Sequence, residues 1–412
     1  MKTQSLFLKQ LSREIPRIQW SEKSINILRS IFNSGRKIDK TRFGISTEIA
    51  YSTQNKGDSS LVKGSDFGYM PTSIQQYIEN ANTRYYAMYQ FDTGTRQVTV
   101  HLYQPEPTMS LEKWKKEVGP CLDAIEMWIH LASIYACKEC SQSLNIYIYW
   151  TSFIKELPTE SNQVIDTIHA NTAYTTSCRP KTEIYIFRKE EWYKVLIHET
   201  FHCFGFDFSS GSQNEVDREI KRLFPIRELV DPRVYESYCE MWAEIMVHWM
   251  QPLLDANHEI DFEQAFDYLT RELEKERAYS LYQMTKILDR MGLDYADLFS
   301  HDETAIQLRN TRYREKTSVF SYYILKSILM FYVDDFIGWT GEPFQFRKGR
   351  EKEYVVSLIG ERYKRDEYVS STRKIHDMIY CIANTKTKTK TKSKKCVAIP
   401  KKYKHTLRMT AS

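Results

Sequence analysis

The sequence predicts an α+β fold, in which a mixed sheet packs against a central helix and a mainly helical region follows toward the carboxy terminus. Three observations lead to this prediction. The 412-residue chain has 42% hydrophobic and 14% aromatic residues, as folded proteins do, and only 14 Gly and 12 Pro, which favours helices over tight turns. Short β-prone runs lie between residues 83 and 187. Two long apolar helical patterns follow between residues 190 and 252.

Shifts in composition divide the chain into four segments. Residues 1–66 hold short helical patterns and end in a small, polar stretch, residues 52–66, which is typical of a linker. Residues 67–253 form the predicted α+β core, and residues 254–383 form a helical region. Residues 384–412 are rich in lysine and repeat Thr-Lys, which predicts a disordered tail.

The positive charge of the chain lies in this tail. The formal net charge is +5, and residues 384–412 contribute nine Lys and one Arg with no Asp or Glu, so residues 1–383 carry about −5. An acidic body does not support a nucleic-acid groove across it. The tail is expected to be a solvated arm, and weak contact of this arm with nucleic acid or other phosphates is the alternative.

The strands of the core are predicted from three regions. Residues 83–105 contain two aromatic and β-branched runs joined by Asp92-Thr93-Gly94-Thr95, which predicts a hairpin. A helical pattern then spans residues 111–136. Residues 144–150 (LNIYIYW) and 182–187 (TEIYIF) are too β-prone for helices and predict two further strands.

Two buried helices complete the predicted core. The first contains EEWYKVLIHETFHCFG, and its closing Gly205 suits the left-handed residue that ends a helix. The second is predicted to begin at Asp231-Pro232, a capping carboxylate followed by proline at the first helical position. It runs through VYESYCEMWAEIMVHWM and is expected to end at Pro252.

The first helix carries residues suited to metal chemistry. His198 and His202 lie four residues apart in HETFH, so both imidazoles face one side of the helix, where they can bind one Zn²⁺. Glu199 lies beside them and is the expected proton acceptor for a metal-activated water. The strand at residues 182–187, directly before this helix, is expected to pair with an extended peptide. Two helix histidines satisfied by neighbouring side chains are the alternative.

A third ligand is expected on the second helix. Glu236, Glu240, Glu244 and His248 recur every four residues and form one polar stripe on an otherwise apolar helix. A buried helix does not carry three carboxylates without a cation facing them. We assign Glu240 as the zinc ligand and Glu244, one turn on, as the acceptor that fixes a ligand imidazole. A solvated charged face is the alternative, and His248 is expected to be a satisfied interior histidine.

These motifs resemble those of a known class of enzymes. HETFH followed 38 residues later by Glu240-Met-Trp-Ala-Glu244 resembles the HExxH…ExxAE arrangement of gluzincin metallopeptidases, which also occurs in lethal-factor-like metalloproteases. The region from about residue 83 to residue 250 also resembles uncharacterised zinc peptidases encoded by large DNA viruses. The resemblance implies a zincin-like fold, Zn²⁺ as the cofactor, and hydrolysis of peptide bonds in a peptide or protein substrate.

Two features of the metallopeptidase pattern differ or stay open. The metzincin pattern is not met, because Phe208 stands where that pattern requires a ligand and Asp207 is one residue early. The resemblance implies a Tyr or His that stabilises the developing oxyanion, but no residue is assigned to this role. Tyr235 and Tyr238 point away from the face of Glu240, whereas Arg233 shares that face.

Cysteine usage and hydropathy bear on location. Eight Cys spread thinly over the chain predict reduced thiols, including Cys137 and Cys140 of a CxxC motif. No apolar run is long enough to span a membrane, and residues 1–16 lack the features of a secretion signal. We therefore expect an intracellular location, which is cytoplasmic or, if the chain is viral, in the host cell or virion. No signal indicates a particular oligomeric state.

A second hypothesis comes from a different class of protein. The chain would then be a catalytically inactive zincin-fold interaction or virion protein, whose metal, if any, is structural. An enzyme must leave one coordination position of the metal open to water, and this requirement separates the two hypotheses.

Overall fold

The computed structural model describes residues 2–39, 49–55, 69–160, 162–227, 230–255, 260–345, 351–380 and 397–411. These residues form a six-stranded mixed sheet and many helices, in agreement with the predicted α+β class. The strands are β1 (Ala50–Asn55), β2 (Thr83–Asp92), β3 (Gln97–Pro105), β4 (Ser143–Tyr149), β5 (Ala173–Thr175) and β6 (Lys181–Ile186).

Helices precede, interrupt and follow the strands. In chain order they are α1 (Lys2–Ser12), α2 (Glu22–Arg36), α3 (Thr72–Asn80), α4 (Leu111–Tyr135), α5 (Thr167–Ala170), α6 (Trp192–Cys203), α7 (Asn214–Leu223), α8 (Val234–Leu254), α9 (Phe262–Arg290), α10 (Glu303–Arg312), α11 (Lys326–Phe331), α12 (Val333–Thr340), α13 (Glu351–Arg362), α14 (Asp366–Tyr380) and α15 (Lys401–His405). A π-helical segment, Phe320–Leu325, leads directly into α11.

The strands are arranged in the order β1-β2-β3-β4-β6-β5. The pairs β3–β4 and β4–β6 are parallel, whereas β1, β2 and β5 pair antiparallel with their neighbours. Strand β6, which precedes α6, is therefore an interior strand. The edge on this side of the sheet is β5, so an extended peptide would have to add to β5 and not to the strand at residues 182–187 that we expected.

The two faces of the sheet differ in chemistry. In β4, Leu144, Ile146 and Ile148 face the helices and belong to the main hydrophobic core. Tyr147 and Tyr149 face the opposite side, which is covered by α3. Alternation of aliphatic and aromatic side chains is thus the period-two pattern of this strand.

Helices α6 and α8 lie at the centre of the molecule and pack against each other. Helix α6 also contacts β5 and β6, and Trp128 of α4 donates a hydrogen bond to the Thr200 hydroxyl at 2.8 Å. Helix α6 ends as expected, because Gly205 adopts a φ of +72° and a Cβ there would meet Cys140 Sγ at 3.0 Å. These contacts fix the helix that carries His198 and His202.

Two predicted boundaries differ from the structure. Residues 52–55 of the expected linker belong to β1, which pairs with β2, and residues 56–66 lie outside the described residues. Helix α8 begins at Val234 instead of Pro232, after Arg233 in a left-handed conformation, and it continues to Leu254. Pro252 is accommodated because it falls in the last turn, where little helix remains to be disrupted.

The expectation of a disordered tail is wrong for its last part. Residues 397–411 pack against the core, and Val397, Tyr403, Leu407 and Met409 are buried. This C-terminal segment pairs with the chain after β4, since Leu407 N donates to Lys155 O at 2.8 Å. The lysine repeat at residues 385–395 dominated the composition of the tail and masked the apolar residues that follow. Residues 381–396 lie outside the described residues.

The cysteines also differ from expectation. Cys140 forms a disulfide with Cys178, whereas Cys137 is a free, exposed thiol. Cys178 lies 38 residues from Cys140, between β5 and β6, so only the folded sheet brings the two together. Among the described residues, no helix is both long and apolar enough to cross a membrane.

The packing of the C-terminal segment leads to a prediction about stability. Leu407→Ala should lower the free energy of unfolding by about 2–5 kcal/mol, because the side chain is fully buried. Urea unfolding measures this change. The matched control is Lys404→Ala, three residues earlier and exposed, which should change stability by less than about 0.5 kcal/mol. Equal stability of both variants would show that this segment does not pack as described.

Candidate metal centre

Helix α6 presents two imidazoles to one point in space. His198 Nε2 lies 3.2 Å from His202 Nε2, as the four-residue spacing of HETFH predicts for one face of a helix. Both side chains are largely buried, with 6% and 11% of their surfaces exposed. Two unshielded ring nitrogens at this separation require either a shared proton or a cation between them.

Helix α8 adds a carboxylate oxygen to the same point. Glu236 Oε2 lies 3.1 Å from His198 Nε2 and 3.6 Å from His202 Nε2. The three atoms form a compact triangle of two nitrogens and one oxygen, and these residues form a group able to hold a metal ion.

The opposite nitrogen of each ring is held by a carboxylate. His198 Nδ1 lies 3.0 Å from Glu240 Oε2, and His202 Nδ1 lies 2.7 Å from Asp207 Oδ2. With the proton on Nδ1, each ring donates to its carboxylate and leaves the Nε2 lone pair free to bind a cation. Both imidazoles are thus fixed in the orientation that a metal ligand needs.

The donor set fits a tetrahedral zinc site. Zn²⁺ binds histidine nitrogen and carboxylate oxygen at about 2.0–2.2 Å, so donors around a tetrahedral ion lie about 3.3 Å apart. The three sides of the observed triangle, 3.1, 3.2 and 3.6 Å, bracket this value. Three protein ligands would leave a fourth position for water.

The charges around the triangle match a bound cation. Burial would lower the pKa of His198 and of His202, but the neighbouring acidic groups raise both, so without a metal the imidazoles carry positive charge. Burial would raise the pKa of Glu236, but His202 and His198 lower it well below its usual value, so the carboxylate is ionised. Burial would likewise raise the pKa of Glu240, but Lys194 and His198 lower it to about 2. Two carboxylates therefore stay charged beside the imidazoles at neutral pH.

Neither of the two glutamates that we assigned from the sequence occupies its expected position. Glu240 contacts His198 at Nδ1, on the far side of the ring from Nε2, and it accepts a hydrogen bond from Lys194 Nζ at 2.5 Å. Glu244 contacts neither imidazole and instead accepts from Lys326 Nζ at 2.7 Å. The position expected for Glu240 is taken by Glu236, and the position expected for Glu244 is taken by Glu240.

This one-turn difference has a structural cause. The residues of the stripe lie on the same face of α8, so the sequence fixes the face but not the turn that meets α6. The axial position of α8 is set by distant contacts, such as the hydrogen bond of 2.9 Å from the Ser237 hydroxyl to Ser321 O. At the far end of the stripe, His248 Nε2 lies 3.0 Å from Glu276 Oε1, as an interior histidine should.

Glu199 borders the triangle and an open cleft. The cleft has a volume of about 770 Å³, and its lining includes Glu199, both imidazoles and Glu236. Burial raises the pKa of the Glu199 carboxyl above its usual value. A carboxyl with such a pKa is better matched to proton transfer near neutral pH than an exposed one.

Two residues at the site were not foreseen. The Tyr322 hydroxyl, from the π-helical segment, donates to Glu236 Oε2 at 2.9 Å and lines the same cleft. Asp207, which holds His202, had been considered only as a misplaced ligand. Neither residue belongs to a local motif, although the short separation of Asp207 from HETFH was a usable signal.

A second group of possible ligands shares His202. Cys239 Sγ lies 3.7 Å from His202 Nδ1, close to Asp207. Burial raises the pKa of the Cys239 thiol, which favours the neutral form, and a neutral thiol is a poor metal ligand. The group around Glu236, with two free Nε2 atoms, is therefore the better cation site.

The C-terminal segment closes the side of the centre away from the cleft. Met409 Sδ lies 3.7 Å from Lys194 Nζ, and Met409 O accepts from Lys326 Nζ at 3.3 Å. Glu191, at the start of α6, accepts from the backbone N–H groups of Met409 and Thr410. The chain thus covers the lysines that pair with Glu240 and Glu244.

Comparisons of this chain with protein families, with curated proteins and with solved structures find no match. The inference of function therefore rests on the geometry of the metal centre.

The geometry predicts which glutamate binds the metal. Glu236→Ala should lower zinc affinity by more than about 100-fold, since losing a ligand exceeds the 10–100-fold effect typical of an outer hydrogen-bond partner. Competition with a chromogenic chelator measures this affinity. Glu215→Ala, on the exposed face of α7, is the control and should bind zinc as the parent does. Parental affinity of Glu236→Ala would exclude Glu236 as a ligand.

The two remaining glutamates of the stripe form a matched pair. Both are buried and accept a hydrogen bond from a lysine, but only Glu240 contacts an imidazole. Glu240→Gln should weaken zinc binding about 10- to 100-fold, whereas Glu244→Gln should leave it nearly unchanged. Titration calorimetry with Zn²⁺ distinguishes them. The opposite order would restore the assignment of Glu244 as the residue that fixes an imidazole.

Proposed function

We propose that the chain is a zinc metallopeptidase of the gluzincin type with a zincin-like core. The observation that carries this proposal is the convergence of His198 Nε2, His202 Nε2 and Glu236 Oε2 at the wall of an open cleft that Glu199 also lines. Two imidazoles and one carboxylate leave a coordination position open, which is typical of catalytic zinc and not of structural zinc.

The residues divide the reaction between them. Zn²⁺ held by this triad would lower the pKa of a water to about 7 and polarise the scissile carbonyl. Glu199 accepts a proton from the attacking water and later donates it to the nitrogen of the departing amine. Glu240 and Asp207 keep the imidazole rings oriented throughout, because each holds an Nδ1 proton.

Tyr322 is our candidate for the donor to the developing oxyanion. Its hydroxyl lies 2.9 Å from Oε2 of Glu236, which is one of the proposed metal ligands, and Tyr322 lines the cleft. Burial raises the pKa of Tyr322 well above its usual value, so the hydroxyl keeps its proton and can donate it. The hydroxyl donates to Glu236 in this structure, and by turning toward the scissile carbonyl it would stabilise the developing negative charge.

Strand β5 supplies a binding edge for an extended peptide. Phe187 N donates to Thr172 O at 2.9 Å, so by antiparallel alternation the backbone groups of Ala173 and Thr175 face away from β6. No further strand of the described residues pairs with this edge, which lines the same cleft as the imidazoles. A substrate added to it as another strand would have its peptide bonds fixed by main-chain hydrogen bonds, which supports peptide hydrolysis over other hydrolytic reactions.

Glu199→Gln separates an enzyme from a metal-binding protein without activity. The variant should bind zinc with parental affinity and lose at least about 100-fold in peptide hydrolysis, because Gln cannot accept the proton of water. Zinc content and cleavage of a denatured protein substrate, followed by mass spectrometry, are measured on the same sample. Cleavage by the variant at the parental rate would remove Glu199 from the mechanism. Absence of cleavage by the zinc-loaded parent itself would favour the interaction or virion protein.

A further inference from the structure

The cleft beside the metal centre carries a set of basic side chains that the proposed chemistry does not use. Arg233, Lys316 and Arg179 all line it. Arg179 and Lys316 are exposed, and 48% of the Arg233 side chain is exposed. The proposed reaction needs none of these cations. Their position in the cleft indicates a role in binding the substrate.

Arg233 is held in place at the edge of the metal centre. It precedes α8 in a left-handed conformation, with a φ of +38°, which is unfavourable for a residue with a side chain. Its Nε donates to Asp231 Oδ2 at 2.8 Å, and Glu236 N donates to its carbonyl at 2.9 Å. Within the described residues, the rest of the guanidinium has no further hydrogen-bond partner. Strained conformations of this kind persist where a side chain must be aimed.

The acidic groups of the cleft do not neutralise these cations. Glu236 and Glu199 serve the metal centre, and Asp231 pairs with a single nitrogen of Arg233. Glu315 is partly buried and accepts hydrogen bonds from the Tyr313 hydroxyl and from Phe320 N. Both hydrogen bonds reach the same oxygen, Oε2, so the Glu315 carboxyl is engaged by its own neighbours. Lys316 Nζ lies 3.9 Å from Asp166 Oδ2, which is a long distance for an ion pair. The Lys316 side chain is mostly exposed.

We propose that Arg233 and Lys316 bind a carboxylate of the substrate, so that the cleft selects peptides that place a carboxylate at this position. This inference rests on the proposed peptidase function and names its substrate class. A guanidinium with free N–H groups binds a carboxylate in a bidentate manner, and a second cation in the same cleft adds attraction at longer range. The carboxylate belongs either to an Asp or Glu side chain or to the carboxy terminus of the peptide.

The test measures binding separately from cleavage. Zinc-loaded full-length Glu199→Gln protein is titrated with alanine-rich octapeptides that carry Glu at one position in turn, each compared with its Gln counterpart and with its amidated form. We expect at least one acidic peptide to bind about 10- to 100-fold more tightly than its neutral counterpart, as a charged hydrogen bond allows. A loss on Glu-to-Gln exchange identifies a side chain, and a loss on amidation identifies the terminal carboxylate.

Variants of the cations complete the test. Adding Arg233→Gln should reduce the ratio of acidic to neutral affinity toward one, and Lys316→Gln should reduce it by a smaller factor. Arg222→Gln, an exposed arginine of α7, is the control and should keep the full ratio. The inference is overturned if no peptide loses affinity on either Glu-to-Gln exchange or amidation, or if the affinity ratio is unchanged in Arg233→Gln. Failure of the zinc-loaded parent to cleave any of these peptides counts against the peptidase function and leaves the binding result to decide the inference.

Discussion

The structure depends on neutralising three carboxylates on a buried helix. Glu236, Glu240 and Glu244 lie on one face of α8, where unpaired charges would cost several kcal/mol each. Glu244 is paired with Lys326, Glu240 with Lys194 and His198, and Glu236 with the two imidazole Nε2 atoms. Lys326 belongs to α11, whereas Lys194 and both imidazoles belong to α6, and Met409 of the C-terminal segment contacts the two lysines. The metal centre is the end of this column of charges that opens to the cleft.

The sequence predicted the α+β class, the two central helices and the shared face of His198 and His202, because these depend on local periodicity and spacing. It also predicted that the stripe on α8 must face cations. It did not identify which turn of α8 faces the imidazoles. We had considered only a metal as the cation, whereas Lys194 and Lys326 also pair with carboxylates of the stripe. Both lysines are buried, and both lie in apolar stretches of the sequence, EEWYKVLI and SYYILKSILM, but the sequence does not show which carboxylate each one meets. The choice among three equivalent carboxylates is made by tertiary contacts, which no spacing rule contains.

Long-range contacts also explain the other differences. The C-terminal segment follows a lysine repeat, so its composition resembled a solvated tail, yet it supplies buried side chains and backbone partners for Glu191. The disulfide between Cys140 and Cys178 depends on the β5–β6 turn, and Tyr322 reaches Glu236 from the region, residues 254–383, for which the sequence predicted only helices. In each case the contact joins residues more than 35 positions apart.

The central claim is that His198, His202 and Glu236 hold one divalent cation. Anomalous diffraction at the zinc edge, from crystals of the full-length protein grown with Zn²⁺, tests it most directly. The account predicts one strong peak at about 2.0–2.2 Å from both Nε2 atoms and from a carboxylate oxygen of Glu236, with Glu240 still at Nδ1 of His198. A protein that binds no zinc, or a peak coordinated by other side chains, would contradict it.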